Sequence, residues 1–309
     1  MPDQDPRRPG RRLLLAGVGS ALLLPVAGCG IRLEDDAPRL PLVPTRRPVP
    51  AEALLVALTR ECDRLAASAA RATDPTAAAL APLHARQHTV LRATLLGQGV
   101  PASGLDEPRP TASPVVTVSP VPVTSAALAR LEAQSAAAAT RFADVETSLL
   151  PTVAALHAQR YAAAVVLGVP VSVTGPQVSG TAVDRLAAAT DGARYLVQVA
   201  AARSAGSRRS RAVATLGALD DLAGDLVRPD QPAPALGRPL PYPVRTAADV
   251  DRLVTEVLGD LRATLGAELA GLTATDAAGG LAAASRWLGT VEVEAHRWGL
   301  LLSPFPGLR

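Results

Sequence analysis

The chain has 309 residues and a net charge of +3, and only 2% of its residues are aromatic although 48% are hydrophobic. Alanine, leucine and valine therefore supply the apolar surface, which favours helices because alanine and leucine lose little side-chain entropy there. The same composition argues against a β-sandwich or barrel, which needs β-branched and aromatic residues at alternating positions. The basic residues are all arginines spread along the chain, so nothing indicates a nucleic-acid-binding protein.

Residues 1–28 are predicted to be a signal peptide. Four arginines precede an uncharged apolar run from Leu13 to Ala27, the pattern of a secretory signal. The run is shorter than the roughly 18–20 residues that span a bilayer as a helix. Val26-Ala27-Gly28-Cys29 then resembles a bacterial lipobox, in which the cysteine carries a diacylglycerol. Cys29 is thus the predicted lipidation site, and the protein is expected on the extracytoplasmic face of the cell membrane, held there by its lipid anchor.

Two export routes fit this signal. Arg11-Arg12 followed by three leucines resembles a twin-arginine signal, which exports folded proteins. The same arginines also suit the positive start of a general secretory signal. The choice between the two routes stays open.

The next part of the chain is predicted to be a tether followed by a helical bundle. Residues 29–50 are rich in proline and mixed charges, as in a flexible tether. Apolar residues then recur at steps of three and four, which is typical of amphipathic helices. The N-terminal helical bundle is predicted over 51–170, with a proline-rich loop at 101–123 and helices at 51–72, 76–97, 125–148 and 151–168.

A weak internal repeat links two of these helices. Leu83-His84-Ala85-Arg86-Gln87 matches Leu156-His157-Ala158-Gln159-Arg160. Each segment is followed by a Gly-Val-Pro stop, at Gly99-Val100-Pro101 and at Gly168-Val169-Pro170. Glycine ends a helix and proline prevents its resumption. The repeat predicts two related helical hairpins.

The second half shows four more helical segments, the last with a heptad-like apolar seam suited to a left-handed bundle. They are predicted over 181–204, 208–227, 246–271 and 276–302. The predicted fold is therefore all-α, with two tandem four-helix bundles and one merged bundle as the alternative.

Residues of the second half also resemble a known family. The likeness lies in Leu186-Ala187-Ala188-Ala189 with Ala193 and Tyr195, in Leu240-Pro241-Tyr242-Pro243-Val244 with Glu256, and in the closing Pro304-Phe305-Pro306-Gly307-Leu308. These segments are similar to the ferritin-like domain of unknown function found in actinobacterial lipoproteins. The resemblance implies a ferritin-like four-helix domain over 178–309, without an established activity. The chain departs from the family at Thr190-Asp191, where Glu-His is usual, so a metal bound by that pair elsewhere is not expected here.

The histidines give little support to a metal centre. A di-iron bundle needs Glu-x-x-His on two helices, and no such motif precedes His84, His88, His157 or His296. His84 and His88 lie one helical turn apart, so both imidazoles share a helix face and form the remaining candidate for a metal site. The alternative is that they are two polar residues at the edge of the helix. Glu292 and His296 have the same spacing and are predicted to form a surface pair, with a ligand role as the alternative.

Other chemistries also lack their motifs. Neither a nucleophile elbow nor a glycine-rich phosphate loop is present in the sequence. Cys62 lies on an apolar helix face and is predicted to be a buried, inert thiol. Three arginines at the start of the predicted helix 208–227 are interpreted as solvated side chains, and contact with anionic lipid is the alternative. They are Arg208, Arg209 and Arg211.

The sequence thus predicts packed alanine and leucine seams with no polar constellation in the interior able to do chemistry. No catalytic residue, metal ligand or cofactor is expected, and no protein partner can be named. The hypothesis is a non-catalytic binding or scaffold module. Metal binding or redox work through a noncanonical site with His84 and His88 is the alternative, and a small-molecule pocket between the two bundles is a third.

Overall fold

The computed structural model describes residues 46–106, 123–173, 178–226 and 237–308. The signal peptide, Cys29 and most of the tether and of the proline-rich loop lie outside these residues. Within them the protein is all-helical, as predicted, and Ala72 and Val123 form a single isolated parallel bridge. No helix of the described ranges combines the length and the apolarity that crossing a bilayer requires.

The helices follow the predicted order. In sequence they are α1 Glu52–Ala70, α2 Pro75–Ala78, α3 Ala81–Gly97, α4 Ala102–Leu105, α5 Ser125–Ala137, a 3-10 turn at Ala139–Phe142, α6 Leu150–Val166, α7 Thr181–Ala202, α8 Gly206–Leu226, α9 Ala247–Thr275 and α10 Ala277–Arg297.

The two Gly-Val-Pro stops end their helices in the same way. Gly99 and Gly168 take positive φ values of 84° and 92° just after α3 and α6. Val100 and Val169 then donate their backbone N–H groups to carbonyls five residues earlier, at 3.0 and 2.9 Å. This geometry satisfies carbonyls that the end of a helix leaves free. The predicted stops are confirmed.

Two predicted helices of the first half differ from the structure. The segment 76–97 forms α2 and α3 rather than one helix, because Pro82 has no N–H group with which to continue α2 into α3. The segment 125–148 is helical only to Ala137 and then tightens into a 3-10 turn, which ends at the buried Phe142. The last predicted helix also stops early, at Arg297, because Gly299 has a φ of 92° and reverses the chain.

Helices α6 and α10 lie at the centre of the packing. They make the most extensive helix–helix contact of the described residues, although the domain boundary predicted near 170–178 falls between them. Helix α6 also packs on α5, α10 packs on α9, and α7 packs on α8 and α9. One hydrophobic cluster includes residues from both halves, and residues 46–309 form one compact unit. The described helices of the two predicted halves therefore share one hydrophobic cluster.

Small residues allow α6 and α10 to approach closely. A methyl group on Gly289 would overlap the ring of Tyr161 on α6. One turn before Gly289, the Ser285 hydroxyl donates to the His157 carbonyl at 3.3 Å. The small side chains on the facing sides of α6 and α10 thus allow the two backbones to approach closely. This contact joins α6 to the helices of the second half.

Candidate functional site

Six polar side chains from four helices meet in the interior of the first half. This polar cluster contains Cys62 of α1, His84 and Gln87 of α3, Glu132 of α5, and Gln159 and Arg160 of α6, and each of these residues is 0% exposed. The prediction of alanine and leucine seams without an interior polar constellation able to do chemistry did not anticipate this cluster. Groups buried in this way must be hydrogen-bonded to one another to be tolerated.

Glu132 supplies the negative charge of the polar cluster. Its Oε1 lies 2.8 Å from His84 Nε2, and its Oε2 accepts from Arg160 Nη1 at 3.4 Å. Burial acts to raise the pKa of this carboxyl, but Arg160 and His84 outweigh it and lower the pKa below its ordinary value. Glu132 is thus ionised at neutral pH.

Arg160 contacts three other members of the polar cluster. Besides Glu132, its Nη1 lies against His84 Nδ1, and its Nη2 donates to Cys62 Sγ at 3.2 Å. Burial works against the charged guanidinium, yet the facing Glu132 raises the pKa of Arg160. The polar cluster therefore contains a fully desolvated ion pair, in which each charge depends on the other.

Two amide side chains extend the polar cluster. Gln87 Nε2 donates to Gln159 Oε1 at 2.9 Å and to the backbone carbonyl of Pro304 at 2.7 Å. Gln87 Oε1 faces His84 Nδ1 at 3.2 Å. Because both amide protons have acceptors, the orientation of the Gln87 amide is fixed. The cluster is thereby connected to the C-terminal tail.

Cys62 is buried, as predicted. Burial raises the pKa of its thiol to about 11, and the nearby Arg160 only partly opposes this shift. The thiolate is the reactive form of cysteine. At neutral pH the residue is consequently a thiol packed in the interior.

The structure places His84 and His88, the metal candidate of the sequence, in different environments. His84 is enclosed, with Glu132 at one ring nitrogen and Gln87 and Arg160 at the other, whereas His88 is only partly buried. Within the described ranges, no group of three or more histidine, cysteine, aspartate or glutamate residues is arranged to hold a metal ion. The spacing of four residues was thus an insufficient signal, because the partners of His84 come from α5 and α6.

His157, the counterpart of His84 in the repeat, has a different environment. Its Nδ1 lies 2.9 Å from the Ser135 carbonyl, and its ring packs at 5.1 Å, centroid to centroid, on Phe142. Burial, together with the charge of Arg160, lowers the pKa of His157 to about 3. The ring is therefore neutral, with the proton on Nδ1 donated to the carbonyl.

The predicted surface pair of Glu292 and His296 is wrong. Glu292 is buried and accepts from the backbone N–H of Ser303 at 2.6 Å and from Arg262 Nη1 at 3.2 Å. Burial raises the pKa of Glu292 above its ordinary value. The Nδ1 atom of His296 lies 3.3 Å from the Leu300 carbonyl. Glu292 instead fastens the chain that follows α10, because the turn at Gly299 brings Ser303 back beside it.

The residues that carry the family resemblance are partly brought together. The Tyr242 hydroxyl donates to Glu256 Oε2 at 2.9 Å, and the Arg252 guanidinium lies over the Tyr242 ring at 4.5 Å. At the divergent pair, Thr190 is buried, whereas Asp191 accepts from Arg194 at 3.1 Å. These contacts hold the segment before α9 and the side of α7 in place.

Two of the three arginines near the start of α8 have partners within the protein. Arg208 makes a two-pronged contact with Asp251, at 2.8 and 3.1 Å. Arg211 lies 5.3 Å from the centre of the Trp298 ring. This part of the helix end therefore contacts α9 and the turn after α10.

One sequence signal for the polar cluster was overlooked. In each repeat segment a polar residue follows the histidine by three positions, Gln87 after His84 and Arg160 after His157. Residues three apart share a helix face, so each segment places two polar groups on one side of its helix. Glu132 has no comparable signal, since nothing local distinguishes it from a solvated helix residue.

The enclosed geometry limits what the polar cluster can do. An apolar groove between α1, α3 and the start of α6 is lined by Leu55, Leu91, Thr94, Leu95, Leu149, Thr152 and Val153, and therefore by no member of the cluster. Charged and polar atoms with no exposed surface can fix the positions of helices, but they cannot meet a solute without a rearrangement. Comparisons of the chain with protein-family models, with curated proteins and with solved structures found no match.

Proposed function

We propose that the protein is a non-catalytic helical binding or scaffold module, held on the extracytoplasmic face of the cell membrane by a lipid on Cys29. The observation that supports this best is the enclosure of the polar cluster. Its ion pair is 0% exposed on both sides, and its thiol is protonated at neutral pH because burial raises the pKa of Cys62 to about 11. Such groups stabilise one arrangement of helices rather than act on a substrate.

The lipid anchor is supported by the order of residues at the start of the chain. Arginines, an apolar run and the small residues Ala27 and Gly28 precede Cys29 in the order that a lipoprotein signal requires. The two acyl chains of a diacylglycerol on Cys29 would hold the protein stably at a membrane.

The degenerate ferritin-like character of the second half is also part of the proposal. The four helices α7 to α10 lie in the predicted order, and α9 packs on both α7 and α10. At the divergent position, Asp191 is engaged by Arg194 and Thr190 cannot supply a carboxylate. These features suit a bundle that keeps the helices of such a domain without its metal ligands.

A labelling experiment tests the anchor. Cells that produce the wild-type chain, Cys29→Ala or Cys62→Ala are fed a labelled fatty acid, and the purified protein is examined for label. We expect label on the wild type and on Cys62→Ala, because the buried thiol cannot be acylated. Equal label on Cys29→Ala would contradict the proposal.

The alternative is a metal-binding or redox protein with a noncanonical site. Thiol, imidazole and carboxylate donors do occur in the polar cluster, at Cys62, His84 and Glu132. Arg160 contacts all three, so a cation would have to displace the guanidinium. Elemental analysis of protein purified without chelators separates the two functions. Stoichiometric metal that disappears in His84→Ala would establish the alternative, whereas substoichiometric metal in both chains is expected here.

A further inference from the structure

The residues after α10 form an irregular, non-helical segment with few hydrogen bonds of its own. This C-terminal tail, residues 301–308, is held mainly by side chains and backbone of other elements. Glu292 of α10 accepts from Ser303 N–H at 2.6 Å, and Arg262 of α9 donates to the Leu301 carbonyl at 3.3 Å. Phe305 and Leu308 pack on the hydrophobic core, and Pro306 is buried. The tail is thus docked along a defined path.

Its end passes unusually close to α9. Gly307 has a φ of 75°, and its backbone lies directly against the backbone of Gly266. A methyl group on Gly266 would overlap the carbonyl of Gly307. Because the obstacle is backbone, it cannot be relieved by a change of rotamer, and the tail would have to move away.

The tail also reaches the first half of the chain. Gln87 Nε2 donates to the Pro304 carbonyl and to Gln159 Oε1, while Gln87 Oε1 faces His84. The tail therefore supplies one acceptor to the polar cluster through a residue that belongs to the cluster. If Pro304 left, a buried amide proton of Gln87 would lose its partner.

We infer that the C-terminal tail is a latch, fastened by Glu292, Arg262 and Gly266, that closes the polar cluster through the contact between Gln87 and Pro304. The docked tail supplies a backbone acceptor to Gln87 and connects α3 to α9 and α10. When the tail undocks, Gln87 is freed to turn towards water, and the polar cluster opens with it. This inference goes beyond the proposed function and does not depend on the lipid anchor.

The test uses the thiol of Cys62 as a reporter of opening. In a full-length chain with Cys29→Ser, Cys62 is the sole cysteine, and Arg160 joins it to the polar cluster. Gly266→Ala displaces the tail. The matched control is Gly259→Ala on the same helix, where among the described residues no atom lies within 4 Å of the added methyl group. Both variants gain the same helix propensity, so that effect cancels in the comparison.

We expect Cys62 in Gly266→Ala to react with a thiol reagent at least about tenfold faster than in Gly259→Ala, with helical circular dichroism retained. Amide exchange at Ser303 should rise together with the labelling rate. Fast exchange at Ser303 with unchanged labelling of Cys62 would overturn the inference, because the tail would then leave without opening the cluster. A tail that stays protected in Gly266→Ala would overturn it as well.

A second variant keeps the test decisive if Gly266→Ala does not fold. Gln87→Leu removes the hydrogen bond to Pro304 in the tail together with the contacts to Gln159 and His84 in the polar cluster, at similar side-chain volume. Amide exchange at Ser303, which lies in the tail and not in the cluster, should then rise relative to the background chain. Unchanged amide exchange at Ser303 would show that the tail and the polar cluster are not coupled, and it would contradict the latch.

Discussion

His84 and His157 occupy equivalent positions in two copies of one short repeat, yet the structure places them in opposite electrostatic environments. His84 lies beside the carboxylate of Glu132 and the guanidinium of Arg160. His157 faces a backbone carbonyl and an aromatic ring, and burial lowers its pKa to about 3. The comparison teaches that a repeated Leu-His-Ala segment determines where a polar residue lies on its helix. The helix packed opposite determines what that residue does.

The largest expected effect tests the charged side of this comparison. Arg160→Met removes the guanidinium that faces the buried carboxylate of Glu132 and leaves only His84 beside it, which should lower the free energy of unfolding by about 3–5 kcal/mol. The double variant Glu132→Leu with Arg160→Met removes both charges and should cost much less. Denaturant unfolding followed by circular dichroism measures both values. A double variant as unstable as Arg160→Met would show that the ion pair is not the cause.

The second prediction concerns the neutral side. The pKa of His157 is lowered in the folded state from 6.5 to about 3. The folded state therefore binds this proton less readily than the unfolded state. The resulting stability is complete above pH 6.5 and is lost as the pH falls towards 3. Between pH 6.5 and 5 the loss should reach about 2 kcal/mol.

His157→Gln is the control for this pH dependence, because glutamine does not titrate. Its free energy of unfolding should fall less than that of the wild type over the same interval. Parallel curves for the two chains would mean that His157 is not the group that titrates. Glu132, whose pKa is lowered, acts in the same direction but only at more acid pH. Glu292, whose pKa is raised, acts in the opposite direction.

The smallest effect concerns what holds the His157 backbone in place. Ser285→Ala removes the hydroxyl that donates to the His157 carbonyl at 3.3 Å. That carbonyl lies within α6, so it keeps its helical partner, and the loss should be about 0.5–1.5 kcal/mol. Thermal unfolding is sensitive enough to detect it. A loss as large as that of Arg160→Met would place the seam, rather than the ion pair, at the origin of the stability.

Much of the helical architecture could be predicted from the sequence, for reasons that are local. The Gly-Val-Pro stops impose a positive φ at Gly99 and Gly168, and Thr124 caps α5 by accepting from Ala127 N–H. Failures occurred where tertiary contacts decided the outcome. The predicted helix over 125–148 gave way to a 3-10 turn that ends at Phe142, whose ring packs on His157.

The polar cluster could not be predicted in the same way. Glu132 and Arg160 are 28 residues apart, and Cys62 and Arg160 are 98 apart. From the sequence alone, a polar residue beside the apolar face of a helix is predicted to lie at the edge between core and solvent. Whether it is buried depends on the helix that packs against it. The repeat nevertheless indicated two members of the polar cluster, since Gln87 and Arg160 occupy equivalent positions in it.

The central position of α6 has a consequence for the order in which the molecule is made. Helix α6 is buried along most of its length, and its main partner α10 is the last helix within the described residues. A nascent polypeptide therefore exposes an alanine-rich strip of α6 until α10, which lies far along the chain from it, has also been synthesised. In that interval the strip needs protection from premature association with other chains.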